Sequence, residues 1–186
     1  EKINTHYSCK NYLVEKINKC YLGSYNKSTF IKFPLMLKTK FRSICAIATG
    51  LDVLGDKWSL IIIRNMLFLK KCTYKELMDN REKIATRVLA DRLKKLAQDG
   101  IIEKKNHPTN KKVFIYTLTE KGMSTIPLIV ELMKFSIKHY PNQIKGKSID
   151  KNRISYKLMH SSNEEAFIKD AKKEYLKYKK SLPAYY

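Results

Sequence analysis

Residues 45–122 hold four segments with helical apolar spacing and then two short strand-like ones, an order that few folds accept. Ile44, Ile47, Leu51 and Leu54 recur at helical intervals and predict a short helix over 44–54, ended by Gly55. Asp56 is placed to cap a second helix, 57–69 (KWSLIIIRNMLFL), which is apolar on most faces and so belongs near the domain centre. Trp58, the only tryptophan, is read as a core anchor. Thr73 with Glu76 makes a capping box for a short helix over 74–79. After a loop at 80–85, Thr86 is read as the cap of a longer helix over 87–98. Val88, Leu89, Leu93, Leu96 and Ala97 form its apolar stripe, while Arg87, Ala90, Asp91, Lys94 and Lys95 face the other way. Gly100 suits a left-handed helix stop.

Segments 101–105 (IIEKK) and 112–118 (KVFIYTL) read as strands joined by the polar loop Asn106–Lys111, which contains Pro108. Thr119-Glu-Lys-Gly then opens a long helix expected to reach about Tyr140, with Pro127 in its first turns. The expected fold class is mainly α with a small β-hairpin wing (α+β), a winged helix-turn-helix. That fold lays its second helix in a DNA major groove and its hairpin along the neighbouring backbone.

Charge agrees with a polyanionic partner. Among 186 residues, 38 Lys and Arg face 17 Asp and Glu, for a net +21. The excess is spread at about +6 over 1–40, +9 over 41–140 and +6 over 141–186. Richness in Lys, Asn, Ile and Tyr is also what an AT-rich genome produces, so the motif has to carry the argument. Cys9, Cys20, Cys45 and Cys72 form no CxxC pair and have no His at ligand spacing, so no metal and no cofactor is expected. Four scattered cysteines fit a reducing cytoplasm. The apolar run Leu60–Ile63 is far too short to span a membrane.

Three regions are expected. Residues 1–40 are an N-terminal extension with one weak helical pattern at Leu13, Ile17, Cys20 and Tyr21. Met36 is read there as the natural start, with 1–35 upstream sequence read in frame; a short N-terminal helix packing in a dimer is the alternative. Residues 41–140 form the DNA-binding and dimerisation domain. Residues 141–186 are a basic tail, irregular from Pro141 to Ser161. Ser162 and Glu165 cap its one amphipathic helix at 163–180, with Phe167, Ala171, Tyr175 and Tyr178 on one face. That face is free to pack on the domain or on a partner chain, and is a weak lipid anchor.

Within the domain, Arg87 in the first turn is the residue suited to a guanine edge, with phosphate contact or a bridge to Asp91 as alternatives. Thr86 contacts a phosphate or only caps. Lys94 and Lys95 meet backbone or solvent, and Arg92 bridges toward the preceding helix. The hairpin loop supplies Asn106, His107, Asn110, Lys111 and Lys112, either as a wing on phosphates and minor groove or as a plain solvated turn.

The span Cys45–Tyr140 resembles the HxlR-type winged-helix transcriptional regulators. The resemblance rests on Cys45 followed by LDVLGDKWSLIIIRNM, then YKEL, IATRVLADRLKKLAQDGIIEK and YTLTEKG. Ala46 stands where the family commonly has Pro. The resemblance implies a homodimer paired through segments 44–54 and 121–140, binding near-palindromic double-stranded DNA. It also implies that Cys45 is the position for a thiol sensor of oxidants or electrophiles. Arg42 and Lys40 nearby would favour a reactive thiolate, whereas the apolar stripe of the helix would simply pack it. Cys72, beside a capping residue, is the weaker candidate. The effector is not specified by the sequence. Two further readings are an architectural DNA-binding module without a sensing role, and an enzyme or redox thiol protein. The enzyme lacks a phosphate loop, a metal cluster or a nucleophile with a His-and-acid neighbourhood.

Overall fold

The computed structural model describes residues 41–145, 154–161 and 163–183. The readings placed on Cys9, Leu13–Tyr21, Met36, Lys40 and Ser162 lie outside these. The elements run α1 (Ala46–Leu54), α2 (Lys57–Leu69), α3 (Tyr74–Met78), α4 (Thr86–Gln98), β1 (Ile102–Asn106), β2 (Phe114–Leu118), α5 (Glu120–Met123), α6 (Ile126–His139), α7 (Pro141–Lys145), α8 (Ile154–Met159) and α9 (Glu164–Lys180). This is a mainly helical winged helix-turn-helix with a two-stranded antiparallel hairpin.

α2 is the central helix, as its all-round apolarity predicts. Ile62, Ile63, Met66 and Leu67 are buried, and Trp58 packs half-buried on the same core. Asp56 caps it by accepting the Trp58 and Ser59 N–H groups. α4 buries Leu89, Leu93 and Leu96 against this core, each burial stabilising by about 1.5–3 kcal/mol. Gly100, at φ 68°, turns the chain into the hairpin. Ile102 pairs with Leu118 and Asn106 with Phe114. Thr73 bridges Ile115, and Tyr116 N–H donates to Cys72 O at 2.7 Å, so the segment before α3 extends the small sheet.

Several expectations need correction. The first helix starts at Ala46, leaving Ile44 and Cys45 ahead of it. Thr86 is the first helical residue of α4; Ala85 occupies the cap position, with no side-chain bond. The first strand is shifted by one residue, to 102–106, and the second is shorter, 114–118. The long helix from Thr119 is broken into α5 and α6, because Pro127 has no N–H to continue the ladder and fits only a first turn. The supposedly irregular stretch from Pro141 to Ser161 contains α7 and α8. α9 is capped by Asn163, which accepts the Glu165 N–H at 2.8 Å.

α9 packs on the domain. Ala171 and Tyr175 are buried, and Phe167 meets Phe68 of α2 with ring centroids 6.1 Å apart. Its tyrosine face is thereby taken out of reach of lipid. No described helix is long and apolar enough to cross a membrane.

Candidate nucleic-acid interface

The helix-turn-helix is built by short-range bonds that the sequence encodes. Thr73 and Glu76 form the capping box of α3, and Leu77 drops into the core, the cap being worth about 1 kcal/mol. Tyr74 OH donates to Thr86 O at 2.9 Å, tying α3 to the first turn of α4. In the turn, Asn80 accepts the Ile84 N–H at 3.3 Å and donates to Leu77 O at 2.8 Å, while Ile84 is buried. Arg64 of α2 holds Glu82 at 2.8 Å, and this pairing keeps the Glu82 carboxyl below its ordinary value. These bonds fix the first turn of α4 against α3 and the turn between them.

Thr86, Arg87, Ala90, Asp91 and Lys94 are all exposed along one side of α4. The possible Arg87–Asp91 bridge is not formed, and Arg87 has no ion-pair partner among the described residues. Lys95 differs from its neighbours: its ammonium donates to Asp52 O at 2.6 Å, turning it toward α1. Arg92 does not bridge to α3, the helix before its own; its guanidinium pairs instead with Asp56, the cap of α2, at 3.1 Å. Sequence reasoning missed Lys75, Arg81 and Lys83, which are exposed on α3 and in the turn beside the start of α4. The only sequence signal for them was position in the turn, since an isolated cation looks like any solvated one.

The hairpin tip carries the other candidates. Lys111 and Lys112 are exposed. Asn110 is engaged in the turn, its side chain accepting the Lys112 N–H at 3.0 Å and its carbonyl the Val113 N–H at 2.9 Å. Half-buried His107 has Nδ1 within 3.2 Å of Thr109 Oγ1, and Asn106 is exposed at the strand end opposite Phe114. Asn106, His107 and Asn110 thus shape the tip, and the lysines are its free charges.

The YTLTEKG segment locks the hairpin root. Thr119 Oγ1 donates to Gly100 O at 2.6 Å and accepts the Gly122 N–H at 3.0 Å. Gly122 sits against the Ile101 carbonyl, where a Cβ would collide.

The two described thiols are in opposite settings. Cys72 is buried, and burial pushes its thiol up. Cys45 is exposed at the cap position of α1, not packed as the apolar stripe would have had it. Arg42 does not serve it: its guanidinium pairs with Asp52 at 2.5 Å, and its N–H donates to the same carboxylate at 3.0 Å.

Comparison with known proteins agrees with this geometry. The model of the HxlR-like helix-turn-helix family matches residues 53–144. The HTH-type transcriptional regulator YodB of Bacillus subtilis is 32% identical over 88 residues, covering 47% of this chain and 78% of YodB. The uncharacterized HTH-type transcriptional regulator BH0655 of Halalkalibacterium halodurans is 29% identical over 92 residues, covering 50% of this chain and 81% of the relative. Among solved structures, PA1607 superposes with a TM-score of 0.51 at 26% identity, covering 59% of this chain and 72% of that one. The matched family span ends at residue 144, ahead of α8 and α9.

Proposed function

This chain belongs to the HxlR-like helix-turn-helix family, and we propose that it is a cytoplasmic transcriptional regulator that binds double-stranded DNA sequence-specifically as a homodimer. The observation that carries the reading is the pairing of two free basic elements on one domain. The exposed side of α4 bears Arg87 and Lys94, and the hairpin tip bears Lys111 and Lys112. An exposed first-turn Arg can take a guanine edge, and wing lysines can hold the adjoining phosphates. The regulators that the chain resembles give the fold this use, and no enzymatic role is assigned.

The dimer is supported by apolar side chains left in solvent. α1 buries none of its residues; Ile47 is 75% exposed and Leu51 55% exposed. Leu128, Leu132 and Phe135 are likewise exposed on α6. An apolar set of this size in a charged chain calls for a cover, and segments 44–54 and 121–140 are the ones expected to meet across a two-fold axis. The exposed Cys45, next to that surface, is the candidate sensor through which an oxidant or electrophile would alter the pairing.

The test is selection of bound duplexes from a random pool, repeated at two salt concentrations and with a mild thiol oxidant. Enrichment of a near-palindrome that survives higher salt is the expected result. A loss of enrichment on oxidation, absent in Cys45→Ser, supports sensing. Uniform, salt-steep binding with no enriched sequence overturns the regulator in favour of an architectural DNA-binding module.

A further inference from the structure

We propose that the outer face of α9 is a second DNA-backbone grip, holding the phosphates that flank the segment covered by α4 and the hairpin. This rests on the DNA-binding function proposed above and extends it to an element outside the matched family span.

Lys169, Lys172, Lys173, Lys177 and Lys180 fall within one side of the helix, with Leu176 among them. They lie opposite the buried face of Ala171 and Tyr175. All five are exposed, and none forms an ion pair with a carboxylate among the described residues. The helix does carry acids. Glu164 is taken by Lys134, Asp170 and Glu174 border one edge of the lysine face three residues before Lys173 and Lys177, and Glu165 stands four residues before Lys169. A solvated surface helix commonly intersperses its charges to form i,i+4 pairs. Here the cations are gathered and left unpaired.

The helix is also held to the DNA-binding elements. Tyr175 OH accepts the Leu118 N–H at 2.7 Å, at the end of β2. Lys179 donates to Leu118 O at 2.9 Å and pairs with Glu103 of β1. Tyr178 OH donates to Lys70 O at the C-terminal end of α2. Just past the helix, Leu182 packs with Ile115 of β2 and Cys72. The C-terminal turn of α9 thus runs against the hairpin, and Lys177 and Lys180 begin the free face there. A row of cations that stays fixed relative to the wing meets a polyanion already bound by that wing without further ordering. Charge complementarity selects duplex backbone as the occupant.

The test measures binding of the full chain to a mixed-sequence duplex of about 40 base pairs, long enough to extend past a two-half-site footprint, over a salt series. Mixed sequence makes the result independent of any operator. Three proteins are compared: the parent, K169Q/K172Q/K173Q/K177Q/K180Q, and the same five positions changed to Arg. Gln keeps helix propensity, and unchanged thermal midpoints confirm folding. The Gln variant should reduce the slope of log affinity against log salt by about 3 or more and weaken binding at least about tenfold at moderate salt. The Arg variant should retain both. A Gln variant with the parent's slope overturns the proposal and leaves the DNA-binding reading standing. A Gln variant that loses binding only to anionic vesicles or single-stranded RNA overturns it in favour of those partners. A parent that binds no duplex removes both readings together.

Discussion

The hydroxyl of Tyr175 accepts the main-chain N–H of Leu118 at 2.7 Å, joining the C-terminal helix to the end of the hairpin across 57 residues of sequence. Both residues are buried, Tyr175 being 1% exposed. Tyr175→Phe keeps the ring and deletes the acceptor, leaving a buried N–H without a partner. The expected cost is about 1–3 kcal/mol in urea unfolding. A variant as stable as the parent would mean that the bond contributes nothing net.

Alkaline pH should loosen the same junction. Burial pushes the Tyr175 and Tyr178 phenols and the Cys72 thiol above their ordinary values. At high pH the folded chain therefore keeps protons that the unfolded chain has released. Their contribution is complete below about pH 8.5 for the thiol and about pH 10 for the phenols, and is lost as pH rises beyond. Urea unfolding of the parent and of Tyr175→Phe from pH 8 to 12 isolates the phenol from the general change in charge. The variant should lose less stability above about pH 10; parallel curves would contradict the shift.

Arg87→Ala should weaken binding to a selected duplex more than binding to mixed-sequence DNA, by about 1–3 kcal/mol at a guanine position. Competition binding with single-base variants of the duplex reads this directly. Equal losses on both DNAs would reassign Arg87 to the phosphates.

Lys111→Ala should weaken all duplexes alike and lower the salt slope by about 0.9. An unchanged slope would take the hairpin tip out of the interface. The same substitution at Lys95, whose ammonium is bonded to Asp52 O, should instead show in stability of the α1 contact and leave the slope nearly as it was.

Leu51→Glu and Phe135→Glu should yield monomers by sedimentation while the fold is kept, because both side chains are more than half exposed in the single chain. Specific DNA binding should fall with the dimer. A dimer that persists in both variants would place the two-fold interface elsewhere.

In a Cys9→Ser, Cys20→Ser background, Cys45 should be alkylated rapidly and Cys72 slowly, since only the first is exposed. Peptide mass mapping over time reads both. Comparable rates would show that the packing of Ile115 and Leu182 over Cys72 opens readily.

Much of this domain was legible in the residues. Local chemistry carried it: Asp56 and Thr73 as caps, Gly100 as a left-handed stop, and the leucine stripe of α4 as a buried face. Where reading failed, something distant or competing had intervened. Thr86 looks like a cap, yet the chain places Ala85 there and begins the helix one residue earlier. Lys70 ends α2 in the left-handed region at φ 56° without being glycine. Tyr178 bonds its carbonyl, and its own ammonium reaches Leu67 O at 3.0 Å, so the C-terminal helix helps hold a turn that no neighbouring residue announces.

The candidate site divides in the same way. Its side chains on α4 and the hairpin could be named because helical period and turn composition fix which way a residue faces. Period does not say which exposed cation is already bonded. Lys94 has no partner among the described residues and Lys95 is held by Asp52, although the two are adjacent, because the partner lies 43 residues away on another helix. The sequence by itself determined the element order from α1 to β2, the caps Asp56 and Thr73 and the buried stripe of α4, since these follow from interactions within a few residues. Tertiary structure alone decided that Cys45 is exposed and Cys72 buried, and that the tail docks on the wing with its lysines outward. Those outcomes depend on contacts between distant segments, which spacing along the chain does not encode.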